Sequence, residues 1–353
     1  MLRQDYSGKL SRMKRWIAVA ALGLAAAGGI VMPGTAQASS TAWYQVYQAN
    51  TSGFFDQIAS VTKNNIWATA ETFTRAGHTS YQPFVRHFNG SSWQAITLPQ
   101  GSTADWVGAS PAPANNVWVG GLGNPAIDTT VVYRWNGARW SKIPVPAQTF
   151  MQGVAVLAWN NVWAYGSSGN PLNAQIFHWN GSKWQGYIST SVNFLPEGIS
   201  ASAPNNVWVS GIAFSGSKEI AVAYRWNGTA WHGVSMPHPV IGGGPSVTAV
   251  SPSNVWIGYV GSTTPQALHW DGNAWHTVNA PYYANPGNIV PDGKGGYWFG
   301  AQAVLTGSTW TMEQVPEFAA PGDVTRIPGT TSAVAGGDVA SGGQRPTIFR
   351  FDL

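Results

Sequence analysis

The chain has 353 residues, with 18 Lys and Arg, 14 Asp and Glu, 42 Gly, 20 Trp and no Cys. Without cysteine, neither disulfides nor thiolate metal sites can stabilise it. Charged residues make up 9% of the chain. Sparse charge with abundant Gly and Trp predicts an all-β protein with many tight turns.

Residues 1–38 have the pattern of a secretory signal peptide. Five basic residues precede an apolar run from Ile17 to Met32, and Ala36 and Ala38 form an A-x-A cleavage pattern. We therefore expect cleavage after Ala38 and a secreted, extracellular product. No second apolar stretch in the sequence is long enough to span a bilayer.

The predicted leader also accounts for the positive charge of the whole chain. It holds five of the 18 basic and one of the 14 acidic residues, which leaves 13 of each in the predicted mature chain. A net charge of zero argues against binding to nucleic acid or to anionic membranes. We expect a monomer whose partner is a carbohydrate, another small polar ligand or a protein.

A repeat runs through residues 39–353, which we predict to be a single domain. Six segments such as "NNVW" end in Trp, and a degenerate "TSAV" ends at Val334. The spacings between these positions are 51, 45, 45, 48, 42 and 36 residues, and the tryptophans are Trp67, Trp118, Trp163, Trp208, Trp256 and Trp298.

Each repeat predicts four short strands. The first is small and apolar, the second contains the recurrent Trp, and the third ends in phrases such as "YRWNG". The Asn-Gly or Asp-Gly that follows predicts a hairpin in which both turn residues have positive φ. Four-stranded repeats of this length are typical of propeller blades.

The two ends of the repeat array complement each other. The last repeat stops after its third strand at "FRFDL", and "STAWYQVYQ" near the start matches a fourth strand alone. The N-terminal strand should therefore complete the last blade and close a seven-bladed β-propeller. Closure removes the sheet edges that would otherwise promote aggregation.

The repeats resemble those of two known propeller families. "VWVGG…VYRWNGARW" is similar to a kelch repeat, whose Gly pair has counterparts at Gly120-Gly121 and Gly336-Gly337. The "NGxxW" turns resemble the Asp-box turn of sialidase-like propellers. These families include enzymes, lectins and interaction scaffolds, so the resemblance implies an architecture without a function.

Residues that recur once per blade are expected to serve the ring itself. Most Trp fall in this class, and so does the basic residue before the third-strand aromatic, which is His or Arg in turn. These histidines lie far apart around the ring and cannot converge on one metal ion. They predict a repeated stacking or hydrogen-bonding position. Trp159 lies outside the repeat, in a turn on the opposite face from the inter-blade loops, and is expected to pack locally.

Residues that break the repeat predict a ligand site. Asp56, Asp105 and Glu197 stand where inner strands begin, and Trp106 is the single bulky residue at the next position. An aromatic ring beside carboxylates suits a sugar, and Ca²⁺ is also compatible with this set. The blade-one insertion adds Glu71, Arg75, His78 and Tyr81 to the same face.

Three functions fit this predicted site. The first is a secreted binding module for a carbohydrate or another small polar ligand. The second is an extracellular glycoside hydrolase or lyase that uses two of the carboxylates. The third is a protein-interaction scaffold. Motifs of the common hydrolase, metalloprotease and nucleotide-binding families are absent from the sequence.

Overall fold

The computed structural model describes residues 42–73, 84–99, 104–110, 115–122, 130–168, 173–187, 194–216, 218–237, 244–260, 265–281, 284–317, 319–340 and 343–352. The predicted leader, its cleavage site, and Arg75, His78 and Tyr81 lie outside these ranges. Among the described residues, no helix has the length and apolar character that crossing a membrane requires.

The described chain forms seven four-stranded antiparallel sheets. The first three blades contain β2 (Ser52–Thr62), β3 (Asn65–Phe73), β4 (Phe84–Phe88) and β5 (Trp93–Ile96); β6 (Trp106–Ala109), β7 (Val117–Leu122), β8 (Thr130–Trp135) and β9 (Trp140–Ile143); and β10 (Thr149–Ala158), β11 (Asn161–Ser168), β12 (Asn173–Trp179) and β13 (Trp184–Gly186).

The remaining four blades follow the same order. They contain β14 (Phe194–Ala203), β15 (Asn206–Ser215), β16 (Lys218–Trp226) and β17 (Trp231–Gly233); β18 (Ser246–Ser251), β19 (Asn254–Val260), β20 (Pro265–Trp270) and β21 (Trp275–Asn279); β22 (Ile289–Pro291), β23 (Tyr297–Phe299), β24 (Ala303–Thr306) and β25 (Thr309–Met312); and β26 (Ala319–Arg326), β27 (Ala333–Val339) and β28 (Arg345–Phe351), with β1 (Tyr44–Gln48) added to the last blade.

The seven sheets form a closed ring. The first strand of each blade contacts the first strand of the next, from β2 through β6, β10, β14, β18, β22 and β26 back to β2. These seven strands are therefore the inner strands of the ring. The prediction of a seven-bladed β-propeller is confirmed.

The N-terminal strand completes blade seven, as the incomplete repeats at the two ends of the chain predict. β1 runs antiparallel to β28, with Tyr44 opposite Arg350 and Gln48 opposite Thr347. The Gln48 side-chain amide donates to Thr347 Oγ1 at 3.3 Å. Closure of the ring is thus non-covalent and joins the first described strand of the chain to the last.

The recurrent Trp of each second strand packs into the neighbouring blade. Trp67 and Trp140 have ring centroids 5.5 Å apart, and Trp163 and Trp231 are separated by 5.4 Å. Trp118 contacts Trp184, and Trp208 contacts Trp275, in the same arrangement. All six second-strand Trp are buried, which confirms the prediction that they build the core.

Residues of the N-terminal segment join three blades. Trp43 is 3% exposed and meets Trp298 of blade six, with centroids 5.4 Å apart, as fourth-strand Trp do elsewhere. Its indole N–H donates to the carbonyl of Ala301 at 2.6 Å. On the other side, the hydroxyl of Tyr47 accepts a hydrogen bond from Arg86 of blade one at 2.7 Å.

The Asn-Gly turns differ from the predicted hairpin type. Phe88 pairs with Trp93, so the first turn has four residues, and the Asn89 Oδ1 accepts from the backbone N–H groups of Ser91 and Ser92. Only the glycine of the pair has positive φ, which is 99° at Gly90. The expectation of positive φ at both residues is wrong because the side-chain oxygen stabilises a longer turn.

The contacts of Trp43 predict a large effect of its loss. We expect Trp43→Ala to lower the free energy of unfolding by about 3–5 kcal/mol, the usual cost of truncating a buried Trp. Tyr44 is 45% exposed on the same segment, and Tyr44→Ala should cost about 1 kcal/mol. Urea unfolding followed by tryptophan fluorescence measures both. Equal effects would contradict the assigned role of Trp43.

Candidate functional site

Four of the seven inner strands, β2, β10, β14 and β26, have a β-bulge near their first residues. Asp56 is the extra residue of the bulge in β2, because Phe55 is opposite Ala70 and Gln57 is opposite the adjacent Thr69. Gln152, Glu197 and Gly322 are the extra residues of the bulges in blades three, four and seven. We call the extra residue the bulge position.

Blade two has an equivalent arrangement just before its inner strand. The backbone N–H of Asp105 donates to the carbonyl of Gly120 at 2.9 Å, and Trp106 pairs with that same glycine. Two consecutive residues thus oppose one, as in a bulge. Asp56, Asp105 and Glu197 therefore occupy the same structural position in blades one, two and four.

The three carboxylates are half-buried, and each makes polar or electrostatic contacts within the protein. Glu197 lies between blades: a methyl group on Gly244 would stand 2.9 Å from its Oε2. Burial, and secondarily the charge of Glu197, raises the pKa of Tyr165 in the preceding blade. The bulge carboxylate of blade four therefore lies at the seam between blades.

Trp106 does not lie at a surface where a ligand could stack on it. Its side chain is 1% exposed and packs among residues of blades two and three, including Trp118 and Met151. The indole N–H donates to the carbonyl of Met151 at 3.1 Å. We correct the assignment of Trp106 as a ligand contact, because the ring is enclosed and its polar atom is satisfied.

The side chain of Trp106 fits because Gly120 has none. A methyl group at Gly120 would overlap the six-membered ring of Trp106, and no backbone strain at Gly120 favours glycine independently. Gly120 thus makes room for an indole that packs between blades. Trp106 and Gly120 form a size-complementary pair.

The position after the bulge joins neighbouring blades in three other places. The backbone N–H of Val107 donates to Gln57 Oε1 at 3.1 Å, and that of Ile58 donates to Asp323 Oδ2 at 2.9 Å. The N–H of Val324 likewise donates to Asn288 Oδ1 at 3.1 Å. Side chains at this position therefore connect blades six, seven, one and two in sequence.

Asp323 lies at the seam where the ring closes. One carboxylate oxygen accepts from Ile58 of blade one, and the other accepts from the side-chain amide of Asn288 of blade six. Burial raises the pKa of Asp323 to about 7, although the backbone N–H bonds oppose the shift. No role for Asp323 was predicted from the sequence.

At the alternating His and Arg position, the three histidines stack on the second-strand Trp of their own blade. His87, His178 and His269 lie parallel to Trp67, Trp163 and Trp256, with centroids 4.0, 4.3 and 4.2 Å apart. An Asn side chain links the pair in blade one, where Asn65 Oδ1 contacts both rings. Burial lowers the pKa of all three histidines. The predicted stacking position is confirmed.

A metal site receives no support from the geometry of the described ranges. Within them, no three His, Asp or Glu side chains come close enough together to hold a metal ion. Glu71 of the blade-one insertion lies in β3, opposite Phe54.

The sequence has no match among family models or curated proteins, whereas its fold has many structural relatives. YCF48 bound to D1 peptide matches with 13% identity and a TM-score of 0.59, over 92% of this chain and 100% of that one. Two lectins match over 85% of this chain and 96% of theirs, each with 10% identity: the fucose-specific lectin from Aleuria aurantia (TM-score 0.44) and SapL1 in complex with alpha methyl fucoside (0.46). At these identities, the likeness to YCF48 shows a shared propeller fold.

The complementarity of Trp106 and Gly120 predicts an energetic coupling. Gly120→Ala should cost about 1–3 kcal/mol by overpacking, and Trp106→Ala about 3–5 kcal/mol through its cavity. The double variant should fall short of the summed costs by at least about 1 kcal/mol, because each change relieves the other. Denaturant unfolding of the four proteins measures the coupling.

Gly322→Ala is the control for the glycine change, since the nearest atom to the added methyl group would lie 3.4 Å away. We expect a cost below about 1 kcal/mol there. Strict additivity of Gly120→Ala and Trp106→Ala would show that the indole does not occupy the space above the glycine.

The raised pKa of Asp323 predicts a pH-dependent stability. Between about pH 4 and pH 7 the folded state retains a proton that the unfolded state has lost, so this group lowers the unfolding free energy as pH rises. In Asp323→Asn this contribution is absent. As the pH rises from about 4 to 8, the unfolding free energy of the variant should therefore increase relative to that of wild type by a few kcal/mol. This magnitude follows from the pKa difference between the folded and unfolded states, at about 1.4 kcal/mol per pKa unit.

Comparing the two proteins at each pH cancels the other titrating groups, including Asp338, whose pKa burial raises to about 6. Asp271→Asn is the matched control, because hydrogen bonds, chiefly from the N–H of Ala274, hold the pKa of this exposed carboxylate below its ordinary range. A stability difference between Asp323→Asn and wild type that is constant with pH would contradict the buried, protonated carboxyl.

Proposed function

We propose that this propeller binds a small polar ligand, with carbohydrate as the favoured class, at the mouth of the channel that the inner strands surround. Asp56, Asp105 and Glu197 are the proposed contacts. The observation that carries the proposal is that these three carboxylates occupy the same bulge position in three blades.

Bulges redirect a side chain from the regular alternation of a strand and are frequent beside functional sites. Carboxylate oxygens accept hydrogen bonds, and sugar hydroxyls can donate to several of them at once. Gln152 holds the same position in blade three and adds an amide. With Trp106 enclosed, hydrogen bonding at the bulge positions, rather than stacking on this indole, would select the ligand.

Secretion is part of the proposal. The predicted leader ends at Ala38, shortly before Trp43 enters the core. An extracellular propeller without cysteine would rely on its packed ring alone for stability. The mass of the protein recovered from the culture medium would reveal whether cleavage occurs before Ser39.

The proposed site predicts that removing a carboxylate charge at a bulge position weakens ligand binding. We expect the wild-type protein to bind members of a glycan and polysaccharide array, and Asp56→Asn, Asp105→Asn or Glu197→Gln to weaken that binding by about tenfold or more, as for a lost charged hydrogen bond. Chelator added to a parallel array tests for Ca²⁺. Each variant must first show the wild-type unfolding transition.

Asp271→Asn provides the matched control. Asp271 caps an exposed turn in blade five, and Asn89, Asn136, Asn180 and Asn227 cap the equivalent turns of blades one to four. This change should leave glycan binding intact. If the protein cleaves a glycan and the cleavage requires two of the carboxylates, the function is that of a hydrolase or lyase and not of a binding module. If the folded wild-type protein binds no glycan on the array, the result favours the protein-interaction scaffold.

A further inference from the structure

Trp159 does not belong to the set of tryptophans that recur once per blade. It lies in the turn from β10 to β11, where the corresponding residues of blades one, four and five are Lys63, Pro204 and Pro252. Its side chain is 47% exposed, whereas the second-strand Trp are at most 3% exposed. The prediction of simple local packing therefore leaves half of this ring unexplained.

Contacts from its own blade fix the position of Trp159. Its carbonyl accepts the indole N–H of Trp179 at 3.2 Å. The edge of its ring lies over the neighbouring turn, where a methyl group on Gly181 would stand 3.1 Å from Cζ3. The exposed indole is thus held on a rigid hairpin.

Arg134 of blade two reaches across the seam to this ring. Its guanidinium carbon lies 5.6 Å from the Trp159 ring centroid, a cation–π geometry. Its Nε donates to Asn116 Oδ1 at 2.9 Å, which fixes the orientation of the guanidinium plane. In the described part of the chain, the ion pairs are His276–Asp271 and Arg350–Asp352, so Arg134 has no carboxylate partner there.

The surroundings of the pair are exposed and polar. Asn160 follows Trp159 directly, Asn180 precedes Gly181, and both side chains are exposed. Amide groups can both donate to and accept from hydroxyl groups. An exposed indole, a fixed cation and flanking amides therefore meet at one seam, between blades two and three.

We propose that Trp159 and Arg134 form a second binding site, at the end of the inner strands opposite to the bulge positions, for a saccharide bearing a carboxylate. The indole would stack on the apolar face of a sugar ring, and the guanidinium would pair with the carboxylate through parallel N–H bonds. Because arginine stays protonated, this charge complementarity persists at all physiological pH values.

The test is calorimetric titration of the full chain with a galacturonate tetrasaccharide and with its methyl ester. Wild type should bind the acid more tightly than the ester, and high salt should narrow the difference. Trp159→Ala should weaken binding of the acid by about tenfold or more. This variant should fold, because other blades carry Pro or Lys at the same turn position.

Three further variants separate the effect of the charge from that of stacking, and this site from the bulge positions. Arg134→Gln should reduce binding of the acid to that of the ester, whereas Arg225→Gln, at the equivalent position beside Trp208, should have no effect. Asp105→Asn should also leave galacturonate binding unchanged, so failure of one site is distinguishable from failure of the other. Absence of binding by folded wild type, or unchanged binding by Trp159→Ala, would overturn the proposal.

Discussion

Pairing of β1 with β28 is the constraint on which the whole ring depends. Seven sheets can share their faces only if the last is completed, and the chain completes it with residues from its opposite end. The cost is the entropy of bringing together segments about 300 residues apart, which grows only slowly with loop length. Burial of Trp43 against Trp298, and the contact of Tyr47 with Arg86, offset that cost on both sides of the strand.

The same packing rule applies around the ring. In each of the first four blades a second-strand Trp enters the next blade and packs against its outer aromatics, and in blades one, three and four a His or Arg lies over that Trp. Near the axis, side chains beside the bulge hydrogen-bond to the next blade's backbone. Repetition accounts for the stability of the scaffold, and the candidate binding residues are those that depart from it, Trp159 among them.

Much of the fold was predictable because a repeat amplifies weak local signals. Six Trp at regular spacing defined the blades, and the unmatched halves at the two ends defined the closure. The Asn-Gly pairs located the turns correctly but gave the wrong geometry. Local patterning could not show that Asn89 Oδ1 accepts two backbone N–H groups and so stabilises a four-residue turn.

The site was less predictable because it depends on contacts between blades. The sequence shows Trp106 as an exception to the repeat, but the structural reason for it is Gly120, the residue paired with it in the next strand. A lone large residue opposite a glycine is a packing signal that the sequence does contain. Asp323 gave no such signal, since its role arises from Asn288 and Ile58, which belong to two other blades.

Ring closure can be tested directly because the chain contains no cysteine. In Gln48→Cys/Thr347→Cys, the two thiols face each other only if β1 lies beside β28 in the observed register. We predict that the folded protein forms this disulfide under mild oxidation, and that closing so long a loop stabilises it by about 4–5 kcal/mol. Free thiols in the folded, oxidised double variant would show that the N-terminal strand does not close the ring.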